Sequence, residues 1–275
     1  MISSLIGPYI ADWPDMMKGG AVVALLSLLI LLRYFVFTGA AFGVSQLARK
    51  ISPWRRLQAV PYTWNQISRE MKDSMISVLV FTAVIGFIAL MNSLGWTRLY
   101  TEPGEFGWIW FWMQIPVALL IQDLYFYWMH RFAHLPAIYE RVHKTHHLST
   151  NPSAFAAFAF HPLEAIFEIA IFVVMVIVLP MNFYALILVG LSSLAYNVYG
   201  HLGYEIMPRF IAKSPLGRLL NTSAYHNQHH RTYRYNYGLY TVIWDRLHGT
   251  FHPKAETLYD SVTERPGVKD GVTQS

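Results

Sequence analysis

The chain has 275 residues, 54% of them hydrophobic and only 13% charged, with a mean hydropathy of +0.31. A soluble domain carries roughly 25% charged residues, so this composition excludes an ordinary soluble fold and indicates an integral membrane protein. The net charge of +5 is modest and gives no reason to expect a nucleic-acid partner, while zero Cys excludes disulfides and thiolate ligands.

The N-terminus, MISSLIGPYIADWPDMMKGG, has no basic stretch ahead of an apolar core and is not read as a cleaved signal. Spanning helices need about 20 mostly apolar residues. The candidates fall at roughly 20–43, 74–96, 108–129, 161–180 and 182–200. Only Pro180-Met181 separates the last two, which predicts a tight helical hairpin or a partly re-entrant pair. The expected fold is an all-α integral membrane protein with four or five transmembrane helices and a cytoplasmic, histidine-rich helical cap. Residues 1–107 would hold the N-terminal spans and a basic loop, 108–252 the histidine-bearing region, and 253–275 a polar, loosely ordered tail.

The stretch between the first two spans contains Arg49, Lys50, Arg55, Arg56, Arg69 and Lys72, which the positive-inside rule places in the cytoplasm. Counting spans then puts 130–153 and everything after about 200 on that same face. Trp108, Trp110 and Trp112 suit an interfacial aromatic belt.

Three histidine clusters follow in order. His130 and His134 form HxxxH; His143, His146 and His147 form HxxHH; His226, His229 and His230 form a second HxxHH. On a helix, residues three or four apart share a face, so each cluster can aim its imidazoles at one point. Asp123 lies on the face of His130 and His134 and is a candidate to orient a ligand imidazole. Eight imidazoles exceed one tetrahedral zinc and suit two metals with about four or five ligands each. Imidazole accepts iron, zinc and copper alike. His201 follows the fifth predicted span, with Asn197 and Glu205 on its helical face. It is a further candidate ligand, as is His161, which shares a stripe with Glu164 and Glu168. His248 and His252 read as surface residues.

With HRFAH, HKTHH and HNQHH in this order, the chain resembles the sterol desaturase/fatty acid hydroxylase superfamily of membrane di-iron oxygenases over about residues 110–252. The stretches SAFAAFAFHPLEA and NYGLYTVIWDRLHGT are similar to its sterol-desaturase branch. The resemblance implies two non-heme irons held by the eight clustered histidines with His201 as a further ligand, and O2 as co-substrate. It also implies a membrane lipid substrate, hydroxylated or desaturated, and a separate electron donor of ferredoxin or cytochrome-b type. Some hydroxylases of the superfamily have a histidine where this chain has Glu205, which leaves that carboxylate either a ligand or an orienter of His201. Tyr125, Phe126, Tyr127, Trp128, Phe155, Phe158 and Phe160 are candidates to line a lipid passage or to serve as packing. Zinc hydrolysis and metal transport are the rival readings, but HExxH and HxxEH are absent and the ligands sit outside mid-membrane. The cysteine-free composition leans toward a bacterial inner membrane over the endoplasmic reticulum.

Overall fold

The computed structural model describes residues 15–264, with side chains from residue 19. The helices in chain order are α1 (Asp15–Ile51), α2 (Trp64–Ser93), α3 (Trp108–Ala133), α4 (Pro136–Val142), α5 (Lys144–His147), α6 (Pro162–Val178) and α7 (Phe183–Gly200). After them come α8 (Arg209–Ala212), α9 (Ser223–Thr232), α10 (Ile243–Leu247) and α11 (Ala255–Thr263). Two-residue strands β1 (Leu99–Tyr100) and β2 (Met181–Asn182) pair in parallel.

Among the described residues, α1, α2, α3 and α7 are long and apolar enough to cross a bilayer. With 17 residues, α6 reaches about 25 Å, short of the roughly 30 Å hydrocarbon core. The sequence-predicted pair around Pro180 is therefore a hairpin with one shorter arm. Leu29, Leu32 and Val36 of α1, Leu79 and Leu90 of α2, and Leu120 of α3 are all exposed. In water these flanks would be an aggregation surface; they match lipid tails.

Local signals explain the helix ends. Ser52 and Pro53 stop α1, and Thr63 caps α2 by accepting from the Gln66 amide at 3.2 Å. Leu135-Pro136 breaks the chain between α3 and α4, because proline disfavours helix in the residue before it and suits the first helical position. Asn182 caps α7 through the Tyr184 amide at 2.9 Å.

The two ends of the bundle differ. At one end β1–β2, the Trp110 indole on the Pro180 carbonyl (2.8 Å) and the Gln114 carbonyl on the Asn182 amide (2.6 Å) tie the α2–α3 connection to the hairpin. At the other end the loop after α1 lies against the segment following α7. Arg55 donates to the carbonyls of Glu205 (2.7 Å) and Met207 (2.6 Å), and Arg49 to those of Leu202 and Gly203. The basic loop and the histidine-bearing segments thus share one end. Residues 255–263, expected to be loose, instead form α11, which buries Tyr259 and Val262 with Leu57, Tyr225 and Val242. The apolar spacing of Ala255, Tyr259 and Val262 was the available signal.

Candidate metal centre

The nine predicted ligand histidines meet above the bundle in two groups. His130, His134, His143, His147 and His229 form one; His146, His201, His226 and His230 form the other. In each group one ring nitrogen per residue lies within 4.8 Å of all the rest. Helix periodicity explains how single motifs serve both. Residues four apart are turned by only about 40°, whereas the residue at the third position points about 100° away from the fourth. His143 and His147 accordingly enter the first group while His146 enters the second; His226 and His230 enter the second while His229 enters the first.

Four rings are oriented through Nδ1. His130 donates to the Tyr237 carbonyl at 2.9 Å, His229 to the Tyr235 carbonyl at 2.7 Å and His201 to the Asn197 carbonyl at 2.7 Å. His143 donates to the Glu164 carboxylate at 2.6 Å. A neutral imidazole has one N–H, so a ring that donates from Nδ1 presents a bare lone pair at Nε2. The Nε2 atoms of His130 and His143 nevertheless face each other at 3.0 Å with no proton to share. Burial, and behind it the neighbouring rings, holds His143, His146, His147, His226, His229 and His230 well below the usual histidine range; burial takes His201 down to about 4. Neutral rings with converging lone pairs repel one another and are satisfied by a cation. The donor set therefore fits a metal in each group, of the imidazole-binding kind.

Around the first group lie three tyrosine rings. Tyr237 is 5.3 Å from His134 and 5.6 Å from His130, Tyr139 is 5.6 Å from His134, and Tyr233 is 4.8 Å from His147. Burial pushes the Tyr237 phenol up, and the charges of Arg131 and Arg234 pull it back. In the second group Phe160 packs on His146 at 5.1 Å.

The fatty acid hydroxylase family profile matches residues 115–250, the stretch that supplies every one of these histidines. Lathosterol oxidase of Mus musculus is 31% identical over 196 residues, covering 70% of this chain and 63% of that protein. The Delta(7)-sterol 5(6)-desaturase of Leptosphaeria maculans is 28% identical over 260 residues, covering 91% of this chain and 68% of that enzyme. The chain belongs to the sterol desaturase/fatty acid hydroxylase superfamily. Its alignments thus span under two thirds of the mouse lathosterol oxidase and little more of the fungal enzyme. No solved structure matches significantly.

Several residues that were candidates for this superfamily member's site have other work. Asp123 orients no imidazole: it accepts from the amides of Tyr240 (2.7 Å) and Thr241 (3.2 Å), the Thr241 hydroxyl and the Trp244 indole (3.0 Å). It points off α3 toward the 240–244 segment, sideways from the histidine face. Glu205 lies outside both groups and makes no hydrogen bond to His201. It accepts from the Tyr199 hydroxyl (2.7 Å) and from the amides of Met207 and Ala224 (both 2.9 Å), the last in the first turn of α9. Burial raises its carboxyl even so. Asn197 orients His201 through its backbone, while its side chain donates to the Ala157 carbonyl at 2.8 Å. His161 stays outside both groups and caps α6, accepting from the Leu163 amide at 3.3 Å. His248 is exposed, stacked on Tyr127 at 5.2 Å; His252 is half-buried against Tyr235. Phe155 and Phe158 pack with Tyr34 and Phe42 as core, and the Tyr125 hydroxyl ties α3 to the Phe167 carbonyl.

Two carboxylates at the centre were not singled out from the sequence. Glu164 was noted only on a stripe with His161, although its spacing from Pro162 places it in the first turn of α6, where it can face His143. Asp245 lies behind the centre. It accepts from the amides of Tyr237 (2.8 Å) and Gly238 (2.9 Å) and the Thr250 hydroxyl (2.7 Å), folding the segment whose carbonyls hold His130 and His229. Gly238 completes that fold, since a Cβ there would come within 2.0 Å of the Thr241 carbonyl.

Proposed function

We propose that the chain is an O2-dependent membrane oxidoreductase that hydroxylates or desaturates a C–H bond of a sterol-type or fatty-acyl lipid. The observation that carries this reading is the pair of all-imidazole groups with converging lone pairs, in a chain similar to lathosterol oxidase and to sterol 5(6)-desaturases. His130, His134, His143, His147 and His229 would hold one iron, and His146, His201, His226 and His230 the second. Bound iron would supply the activation of O2, with two electrons from a separate donor, that an unactivated C–H bond requires.

The protein's own part is position and exclusion of water. The Tyr237, Tyr235 and Asn197 carbonyls and the Glu164 carboxylate fix ring orientation, and the buried rings keep their nitrogens neutral at working pH. The lipid would enter laterally from the exposed apolar flanks of the helices. The basic loop beside the histidine end supports a cytoplasmic location for the centre. A bacterial inner membrane is the proposed site on the cysteine-free composition, although the relatives named above are mammalian and fungal. Zinc hydrolysis and metal transport are not favoured, because the similar proteins are sterol oxidases and desaturases.

The deciding test is purified protein loaded with iron in nanodiscs, given O2, a chemical reductant and a panel of sterol and acyl lipids. A product that gains one oxygen or loses two hydrogens is expected. Iron-loaded protein that consumes O2 without altering any lipid would overturn the assignment.

A further inference from the structure

Eight of the nine clustered histidines are fully buried; His134 is only half-buried. The first group therefore comes nearest to the surface at His134. Two partly exposed rings cover it there, Tyr139 at 5.6 Å from His134 and Tyr233 at 4.8 Å from His147, and these two rings meet at 6.2 Å. The buried Tyr237 closes the gap beneath, its hydroxyl 3.4 Å from the Tyr233 carbonyl. Half-buried His134 is thus flanked by partly exposed aromatic rings at this point.

The rim of this spot is cationic. Arg131 and Arg234 are close enough for both charges to act on the Tyr237 phenol, and Arg131 sits over the Trp128 ring at 5.7 Å. Arg231 and Arg234 are exposed on either side of Tyr233. Lys144, Arg209 and Arg246 at the same end are matched with Glu140, Glu264 and Glu256, whereas Arg141, Arg218 and Lys254 are exposed there without an ion pair among the described residues. Among the described residues Arg231 and Arg234 have no ion-pair partner. Arg231 also opens onto a shallow groove of about 440 Å³ shared with Lys254 and Thr257, running along the outer face of the helix whose inner face carries His226, His229 and His230.

We propose that this surface, with Tyr139 and Tyr233 at its centre and Arg131, Arg231 and Arg234 at its rim, is where an acidic one-electron carrier protein docks to reduce the centre. The inference rests on the oxygenase reading. Hydroxylating a C–H bond with O2 sends one oxygen atom to the product and one to water. That consumes two electrons and two protons, and the carrier, being oxidised twice, supplies the electrons. A carboxylate-rich face on the carrier complements the unpaired arginines, steers encounter and sets register beside half-buried His134.

The test compares wild type with the double variant Arg231→Glu/Arg234→Glu, both iron-loaded, in nanodiscs of zwitterionic lipid and of mixed anionic lipid. Reduction is followed by stopped flow with three probes: an acidic ferredoxin, a basic cytochrome c variant poised as reductant, and dithionite. In wild type the acidic carrier should be fastest and slow steeply with salt. In the variant its rate should fall about 10-fold at low salt and lose most of its salt dependence, with dithionite reduction unchanged in both lipids. Equal rates for acidic and basic carriers, or an unaltered variant, would overturn the docking surface. A loss confined to anionic nanodiscs would assign the arginines to lipid headgroups and overturn it too. Normal dithionite reduction without any lipid product would instead strike at the oxygenase reading, leaving the docking result to be read from reduction rates.

Discussion

The Glu164 carboxylate stands 2.6 Å from Nδ1 of His143, and its second oxygen has no hydrogen-bond partner although it is buried. This carboxylate–imidazole pair is the only one among the described residues that joins an acidic side chain to either histidine group. Its effect is to fix the His143 tautomer and strengthen Nε2 as a donor. Replacing Glu164 with Ala should weaken iron binding in the five-histidine group by about 10–100-fold. Glu164→Gln, whose carbonyl can still accept from Nδ1, should lie between. Iron titration of the apo protein checks this, and an Ala variant with unchanged affinity would remove Glu164 from the site.

Asp245 acts on the centre at one remove. Asp245→Ala leaves two amides and a hydroxyl without their acceptor, and should cost about 3 kcal/mol of stability or more. Iron content should fall as well, because the Tyr237 carbonyl loses its place on His130. Gly238→Ala should produce the same loss of iron through the clash with the Thr241 carbonyl. Gly86→Ala, which meets nothing within 4 Å, is the control. Full iron content in Asp245→Ala would show that the 235–242 segment holds its shape unaided.

Glu205 gives the opposite expectation. Glu205→Gln should keep both metals and cost about 1–2 kcal/mol, the loss of charged hydrogen bonds to Ala224 at a helix N-terminus and to Met207. Thermal unfolding and metal analysis on the same preparation separate the two effects. Iron lost from a variant of unchanged stability would return Glu205 to the ligand set.

Orientation in the membrane is testable with single cysteines, since the protein has none of its own. Thr150 and Thr101 are both exposed, at the histidine end and the opposite end respectively. In intact cells an impermeant thiol reagent should label Thr101→Cys and spare Thr150→Cys. The reversed pattern would place the metal centre outside the cytoplasm.

Bound metal should also stabilise the fold, because it relieves the facing lone pairs of the folded state and has no comparable site in the unfolded chain. Chelation should lower the unfolding temperature, and titrating iron back should restore it. Identical melting of the stripped and loaded forms would contradict the fit of these groups to a metal.

Helical periodicity and apolar run length are local properties, so the spans and the count of imidazoles for two metals are written in the sequence, whereas the single point at which each HxxHH box was expected to aim is not found. Its order of boxes also carried the family. Periodicity turns His146 away from His143 and His147, but which other histidines each then meets depends on where α3, α7 and α9 stand around them. The orienting groups were equally hidden. Three are backbone carbonyls, which every residue has, and only the fold aims those of Tyr235, Tyr237 and Asn197 at imidazoles. Asp123 and Glu205 sit at the right helical positions to serve histidines, yet partners 117 and 19 residues away claimed their oxygens. A buried carboxylate binds whichever donors the packed chain brings within reach, and that choice is made by tertiary structure because an unpaired backbone amide costs as much to bury as an unpaired ring.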